Sequence, residues 1–144
     1  MASGFTIRTV SWAESADELL VVRREVFVVE QGVAEEREVD ELDPLSLHVL
    51  ACDEEGCPVG TARLLPCGRI GRVAVLSPWR RRGVGGALMQ AVMAAAEKRG
   101  EKRIHLHAQV HSIPFYESLG FRVYGGEFEE EGILHREMER FPGE

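Results

Sequence analysis

Val73-Ala74-Val75-Leu76-Ser77-Pro78-Trp79-Arg80-Arg81-Arg82-Gly83-Val84-Gly85-Gly86 runs from an apolar strand, through an arginine-rich loop, into the start of a helix. Ile70 to Leu76 is apolar enough for a central strand. Gly83 to Arg99 reads as the clearest helix of the chain, with Val84, Leu88, Ala91, Val92 and Ala95 as its apolar stripe. Lys98 and Arg99 suit the negative end of its dipole, and Gly100 is a natural C-cap. The first turn of such a helix has N–H groups without internal partners at the positive end of the dipole, so the junction is a ready phosphate site. Side chains at 83, 85 and 86 would stand between those amides and phosphate oxygens. Glycine costs about 1 kcal/mol in a helix, so three of them need a reason. A dinucleotide fingerprint starting at Gly83 fails at Leu88, and no G-K-[ST] exists for a P-loop. Close packing of the helix on the strand would explain the glycines, but not three consecutive arginines.

Outward from this junction, Phe5 to Val10 alternates as a half-buried strand, and Ser11-Trp12-Ala13-Glu14 has the form of a capping box. The helix that follows carries Leu19, Val22 (or Val21), Val26 and Val29 on its apolar side and Glu18, Arg23, Arg24 and Glu25 on the other. Glu30 to Asp43 holds seven acids and Arg37 without a clean period, which reads as a loop or frayed helix and a solvated rim; its other reading is a patch that attracts a cationic amine. Leu47 to Cys52 and Val59 to Leu64, joined through Asp53-Glu54-Glu55-Gly56, form an antiparallel hairpin. Ile104 to Val110 is a strand with His105, His107 and Gln109 on one face. Ser112 to Ser118 is a short helix, and Phe121 to Tyr124 and Ile133 to Met138 are strands. Paired strands plus one strand–helix–strand crossover imply a mixed sheet flanked by helices.

The chain has 144 residues, 44% hydrophobic and 28% charged, which is the size and composition of one globular domain, 1–144. No apolar run approaches the ~20 residues of a membrane span, and Met1-Ala-Ser-Gly-Phe5 has neither a basic nor an apolar leader region, so the expected location is cytoplasmic, with no membrane partner. A net charge of −7 argues against nucleic acid as a partner. Against it, Arg80-Arg81-Arg82, with Arg69 and Arg72 nearby, is a local basic cluster suited to a compact anion such as phosphate. Cys52, Cys57 and Cys67 match no CxxC pair and read as reduced thiols, without the spacing of a zinc site. His105, His107 and His111 raise the question of a metal, but none is expected.

Arg80-Arg81-Arg82-Gly83-Val84-Gly85 resembles the [RQ]-x-x-G-x-[GA] loop of the GNAT N-acetyltransferases. Phe115-Tyr116-Glu117-Ser118-Leu119-Gly120-Phe121 is similar to their F/L-Y-x-x-L-G-F segment, in the expected order. Val26 to Gln31, Asp40, Asp43, His48, His107-Ala108-Gln109 and Gly132 to His135 look like the ElaA/YjcF branch. The resemblance implies an α+β fold, layered α/β/α: a mixed, mostly antiparallel sheet of six to seven strands with about four helices, splayed where Val73–Leu76 and Ile104–Val110 run parallel. It implies acetyl-CoA as co-substrate, with the amides of Arg81 to Gly86 on the pyrophosphate and an arginine of the triplet on the 3′-phosphate. Val73, Ala74 and Val75 would line the pantetheine arm, with the backbone of Val73 and Val75 pairing to it and the Val73 amide polarising the acetyl carbonyl. Tyr116 would protonate the departing thiolate, and Gln109 stands where the family often has an asparagine. The glutamate base of histone-type members is absent, because the corresponding position is near Arg69.

For the base, the resemblance puts Glu30 first, at the end of the first helix beside the acceptor cleft. His107 and His48 come next, since imidazole titrates near neutrality. The expected activity is transfer of an acetyl group to a primary amine of a small molecule or peptide by direct attack in a ternary complex, because no serine or cysteine sits in a nucleophile setting. A non-catalytic acyl-CoA-binding module is the alternative. Arg24-Glu25-Val26-Phe27 with Asp40 and Asp43 is also similar to acyl-homoserine-lactone synthases, whose chains are longer. A two-fold homodimer is the default assembly.

Overall fold

The computed structural model describes residues 4–143. Residues 1–3, part of the stretch examined above for a leader, lie outside the described residues. Seven strands form one sheet in the order β1-β2-β3-β4-β5-β7-β6, antiparallel throughout except between β4 and β5. The elements are β1 (Phe5–Val10), α1 (Trp12–Arg23), α2 (Glu35–Glu38), β2 (Leu47–Asp53), β3 (Pro58–Leu64), β4 (Arg69–Val75), α3 (Val84–Arg99), β5 (Ile104–Gln109), α4 (Ile113–Glu117), β6 (Arg122–Glu130) and β7 (Ile133–Arg140). Among the described residues no helix is long and apolar enough to cross a membrane. The last two strands run further than their apolar cores, because charged cross-strand pairs such as Glu127 with Arg136 extend the ladder where periodicity is silent.

Each helix begins and ends as its local chemistry requires. Ser11 Oγ accepts from the Glu14 amide at 3.2 Å, and its hydroxyl in turn donates to Glu14 Oε1. The turn between β2 and β3 is tied by Asp53 Oδ1, which accepts from the amides of Glu55 and Cys57 at 2.9 Å each. α3 packs on β1–β4 over the main core, where Leu88, Met89, Val92, Ile70, Leu106 and Met138 are buried. Met89, Met93 and Ala96 are buried too, while Ala91 and Ala95 are only half-buried, so the stripe lies rotated from the expected one. The approach of α3 depends on Gly60. A Cβ there would lie 2.9 Å from Leu88 Cδ1 and 3.0 Å from Val84 Cγ1.

α1 covers the other sheet face at β2–β4, with Leu19 against Leu50 and Cys52, and with Val22 and Val26 against Ala74. From Arg24 to Glu30 the helix widens into a π-turn. The side chains that face inward on either side of this junction differ from the expected ones. Val29 is 67% exposed rather than apolar-side, and Arg23, expected on the solvent side, is fully buried.

Candidate active site

β4 and β5 pair only at Arg69 with His105 and Ile70 with Leu106, and then separate. β4 also carries one extra residue against β3: Thr61 faces Ala74 and Arg63 faces Gly71, leaving Arg72 and Val73 outside the register. Arg72 takes a left-handed φ of 50°, and Thr61 Oγ1 donates to its carbonyl at 2.9 Å. Such a bulge releases a backbone group from the ladder at the point where the strands part. A cavity of about 1030 Å³ opens there, running from the Arg80–Gly86 loop to His107, Glu130 and His135.

At one end, Arg81 (φ 61°) and Gly83 (φ 86°) are left-handed, and Gly83 N-caps α3 without a side-chain cap. The first-turn amides are therefore free for an anion. A Cβ at Gly83 or Gly86 would meet no atom within 4 Å, and one at Gly85 would make ordinary contact with Phe115 at 3.5 Å. No protein packing requires glycine at 83 or 86, so the open space in front of them is a cradle, and the donor set fits a pyrophosphate. Val84 is buried in the core and can offer only its backbone. Arg81 lines the cavity, whereas Arg82 lies over the Trp79 ring at 4.0 Å. Arg80 turns inward: its Nε donates to the Val75 carbonyl at 2.9 Å, and its two terminal nitrogens hold Glu30 at 2.7 and 3.0 Å. Val73 and Val75 line the cavity along its wall, while the Ala74 side chain packs among Val22 and Val26.

Tyr116 stands at the middle, buried and edge-on to Phe115 and Phe121. Its hydroxyl has no hydrogen-bond partner among the described residues, and burial pushes its pKa to about 12. The phenol therefore stays protonated across the neutral range, as a hydrogen-bond donor requires. Gln109 exchanges amide hydrogen bonds with Gln31 at 2.9 and 3.4 Å, joining β5 to the end of the π-turn across the cavity.

The far end is built on the face shared by β5, β6 and β7. His107 Nδ1 lies 3.1 Å from Glu130 Oε1, and His107 stands edge-on to Phe128. His135, stacked on Phe128, places Nε2 3.8 Å from Glu130 Oε2, and its Nδ1 donates to the Ile133 carbonyl at 2.7 Å. The hydrogen bond from His107 holds the Glu130 carboxyl below its usual range despite partial burial, with His135 and Arg69 assisting. The sequence points to no role for Glu130, and it marks His135 only within the family-like stretch Gly132 to His135. Only their β6–β7 register brings them to His107, and pairing register across a turn leaves no local signal.

Several expectations are corrected here. The stretch from Glu30 to Asp43 is a solvated rim only in part: Glu30, Glu35, Glu36 and Glu41 are exposed, but Glu38 is 2% and Asp43 0% exposed, and they hold the buried Arg23. Arg23 donates to Glu38 Oε1 and, at 2.9 and 3.1 Å, to both oxygens of Asp43, while Arg63 bridges Asp40 and Asp43. Burial alone would raise the Asp43 carboxyl; the hydrogen bond and charge of Arg23, with help from Arg63, bring it down to about 2. Arg72 belongs to this cluster, through Glu38 and Asp40, and not to the loop cations. Glu36 and Glu41 are exposed and make no ion pair among the described residues, but neither lines the cavity. His48 is a core residue, 1% exposed against Trp12 with Nε2 2.8 Å from the Asp43 carbonyl, and burial lowers its pKa. Glu30 reaches the cavity but is spent on Arg80, so taking a proton would cost it two charge-assisted hydrogen bonds.

Known proteins place this geometry. Residues 13–141 match the model described as the Acetyltransferase (GNAT) domain. The uncharacterised N-acetyltransferase YjcF of Bacillus subtilis is 40% identical over 129 residues, covering 87% of this chain and 91% of that one. Protein ElaA of Escherichia coli is 34% identical over 130 residues, covering 85% and 84%. Among solved structures, an acyl-CoA N-acyltransferase from Pseudomonas aeruginosa superposes with a TM-score of 0.83 at 32% identity, over 94% of this chain and 99% of that one. The strand splay, the glycine-bearing helix start and these matches agree, and the chain belongs to the GNAT acetyltransferase family, in the branch of YjcF and ElaA.

Proposed function

We propose that the protein is an acetyl-CoA-dependent N-acetyltransferase acting on a primary amine by direct attack. The observation that carries this reading is the uncapped, glycine-lined start of α3 opening onto a bulged strand that parts from its neighbour. Acetyl-CoA supplies the activated acyl group. The amides of Arg81 to Gly86 bind its pyrophosphate, and Arg81 and Arg82 add positive charge. The backbone at Val73 and Val75 lines the pantetheine path, and the Val73 amide, released by the bulge, points its donor at the carbonyl that becomes negative. Gln109, locked to Gln31, closes the wall on the β5 side.

His107 is the base we assign, in preference to Glu30. The Glu130 carboxylate on its Nδ1 fixes the tautomer that leaves the Nε2 lone pair to accept the ammonium proton, with Glu137 Oε1 3.9 Å from that nitrogen. Glu130 is thus a positioning residue. The amine, once neutral, attacks the carbonyl; the C–S bond breaks as Tyr116 protonates the departing sulfur, and the proton shed by the new amide nitrogen restores the phenol. Glu30 is assigned to holding Arg80 over the end of β4. One observation favours the second reading, a non-catalytic acyl-CoA-binding module: the Val75 carbonyl and the Glu30 carboxylate are both taken by Arg80.

Two measurements separate these readings. Calorimetric titration with acetyl-CoA tests the coenzyme site, and thiol release with a panel of primary amines tests turnover. Binding with turnover that falls in Tyr116→Phe, at unchanged acetyl-CoA affinity, supports the enzyme. Binding without turnover on any amine favours the module, and absence of binding refutes both.

A further inference from the structure

We infer that the acceptor is a zwitterionic amine, an amino acid or close analogue, whose carboxylate is received by Arg69. The inference rests on the acetyltransferase reading above. Arg69 lines the cavity, half-buried; its guanidinium makes no hydrogen bond or close ion pair with any described residue and acts on Glu130 only through its charge. The other arginines on its side of the cavity are matched: Arg37 by Glu131, Arg63 by Asp40 and Asp43, Arg72 by Glu38 and Asp40. A guanidinium keeps its charge at any accessible pH, so Arg69 presents an unspent planar fork, the geometry that takes a carboxylate with two parallel hydrogen bonds.

The coenzyme does not supply that anion. Arg69 begins β4, six residues before Val75, and a strand advances roughly 3.3 Å per residue, so about 20 Å separates Arg69 from the end of β4 that leads into the phosphate cradle. The register sets Arg69 beside His105, so it leaves the sheet on the face that also carries His107. Among the acids lining the cavity, Glu30, Glu38, Asp40 and Glu131 are each held by an arginine. Glu130 alone takes its hydrogen bond from histidine, with Arg69 acting on it at longer range. The chamber therefore offers one open cation and one carboxylate-backed imidazole. Its complement carries one anion and one amine, the anion taking the hydrogen bonds that the Arg69 guanidinium leaves open.

The test uses the full chain with saturating acetyl-CoA and follows thiol release for each standard amino acid beside its own α-carboxamide. For at least one amino acid, kcat/KM exceeds that of the carboxamide by tenfold or more. Arg69→Gln raises the KM of that amino acid 10- to 100-fold, the loss expected for one charge-assisted contact, while the acetyl-CoA affinity is unchanged and reports an intact fold. Arg69→Lys restores part of the effect, lacking the fork. Equal turnover of acid and carboxamide, an Arg69→Gln KM within twofold of the parent, or acetyl-CoA binding without turnover of any of these probes overturns the assignment and leaves the coenzyme site standing. Failure to bind acetyl-CoA overturns both readings together.

Discussion

Gly86→Glu should make the protein more stable and unable to hold its coenzyme. Gly86 is the third helical residue of α3, after the N-cap Gly83, and a Cβ there meets nothing within 4 Å. Replacing a helical glycine recovers roughly 0.5–1 kcal/mol of backbone entropy. A carboxylate in the first turn adds about 0.3–1 kcal/mol against the positive end of the dipole, the more readily because no side chain caps this helix. The sum, about 1–2 kcal/mol, raises the melting temperature by roughly 3–7 °C in a chain of this size. The same carboxylate fills the cradle and repels a pyrophosphate, so acetyl-CoA affinity should fall at least 100-fold, or about 2.7 kcal/mol. Thermal unfolding and calorimetric titration of one preparation read both effects. Gly86→Ala separates them: it should gain stability and lose less affinity. Wild-type affinity in the Gly86→Glu protein would refute the placement of the phosphates at α3, and a lowered melting temperature would refute the claim that only ligand, not packing, needs glycine there.

Tyr116→Phe should lower kcat by roughly 10²-fold with acetyl-CoA binding retained, and because the phenol titrates only near pH 12, any alkaline limb it causes in the parent's pH–rate profile lies above pH 10. Glu130→Ala should lower kcat about 10- to 100-fold, while ¹⁵N shifts of His107 report a lost preference for the Nδ1–H tautomer; an unchanged tautomer would remove Glu130 as its positioning residue. Asp43 has a carboxyl depressed from 3.8 to about 2, so the stability it adds is complete above about pH 4 and fades as the pH drops toward 2. That contribution is on the order of 2 kcal/mol and is visible as a falling urea midpoint in the parent. Asp43→Asn leaves Arg23 and Arg63 under-compensated and should cost about 3–5 kcal/mol, a loss read in the same urea titration. Gly60→Ala should cost about 1–3 kcal/mol by overpacking against Leu88, Val84 and the Ala74 carbonyl, measured by the same unfolding midpoint.

The amino-acid order alone determined the parts whose physics is local. The Ser11 cap, the Asp53 turn, the alternation of β5 and the arginine–glycine entry into α3 each follow from residues within a few positions of one another, and the structure has them where the periodicities put them. The coenzyme loop was legible for this reason, since a phosphate cradle is made of consecutive backbone amides. The acceptor end was not, because His107, Glu130, His135 and Arg69 come from four strands and meet only through register. The acidic stretch from Glu30 to Asp43 misled for a related reason. Charge without period reads as solvated surface, yet Arg23, Arg63 and Arg72 lie 15 to 34 residues away and only folding brings them to Glu38, Asp40 and Asp43. Likewise the π-turn after Arg23, in which Val29 is exposed, departs from the 3.6-residue period by which the sequence is read there. Which charge is spent and which is left open to a ligand, as at Glu30 and Arg69, is decided by three-dimensional pairing, because an ion pair depends on distances that sequence separation does not fix.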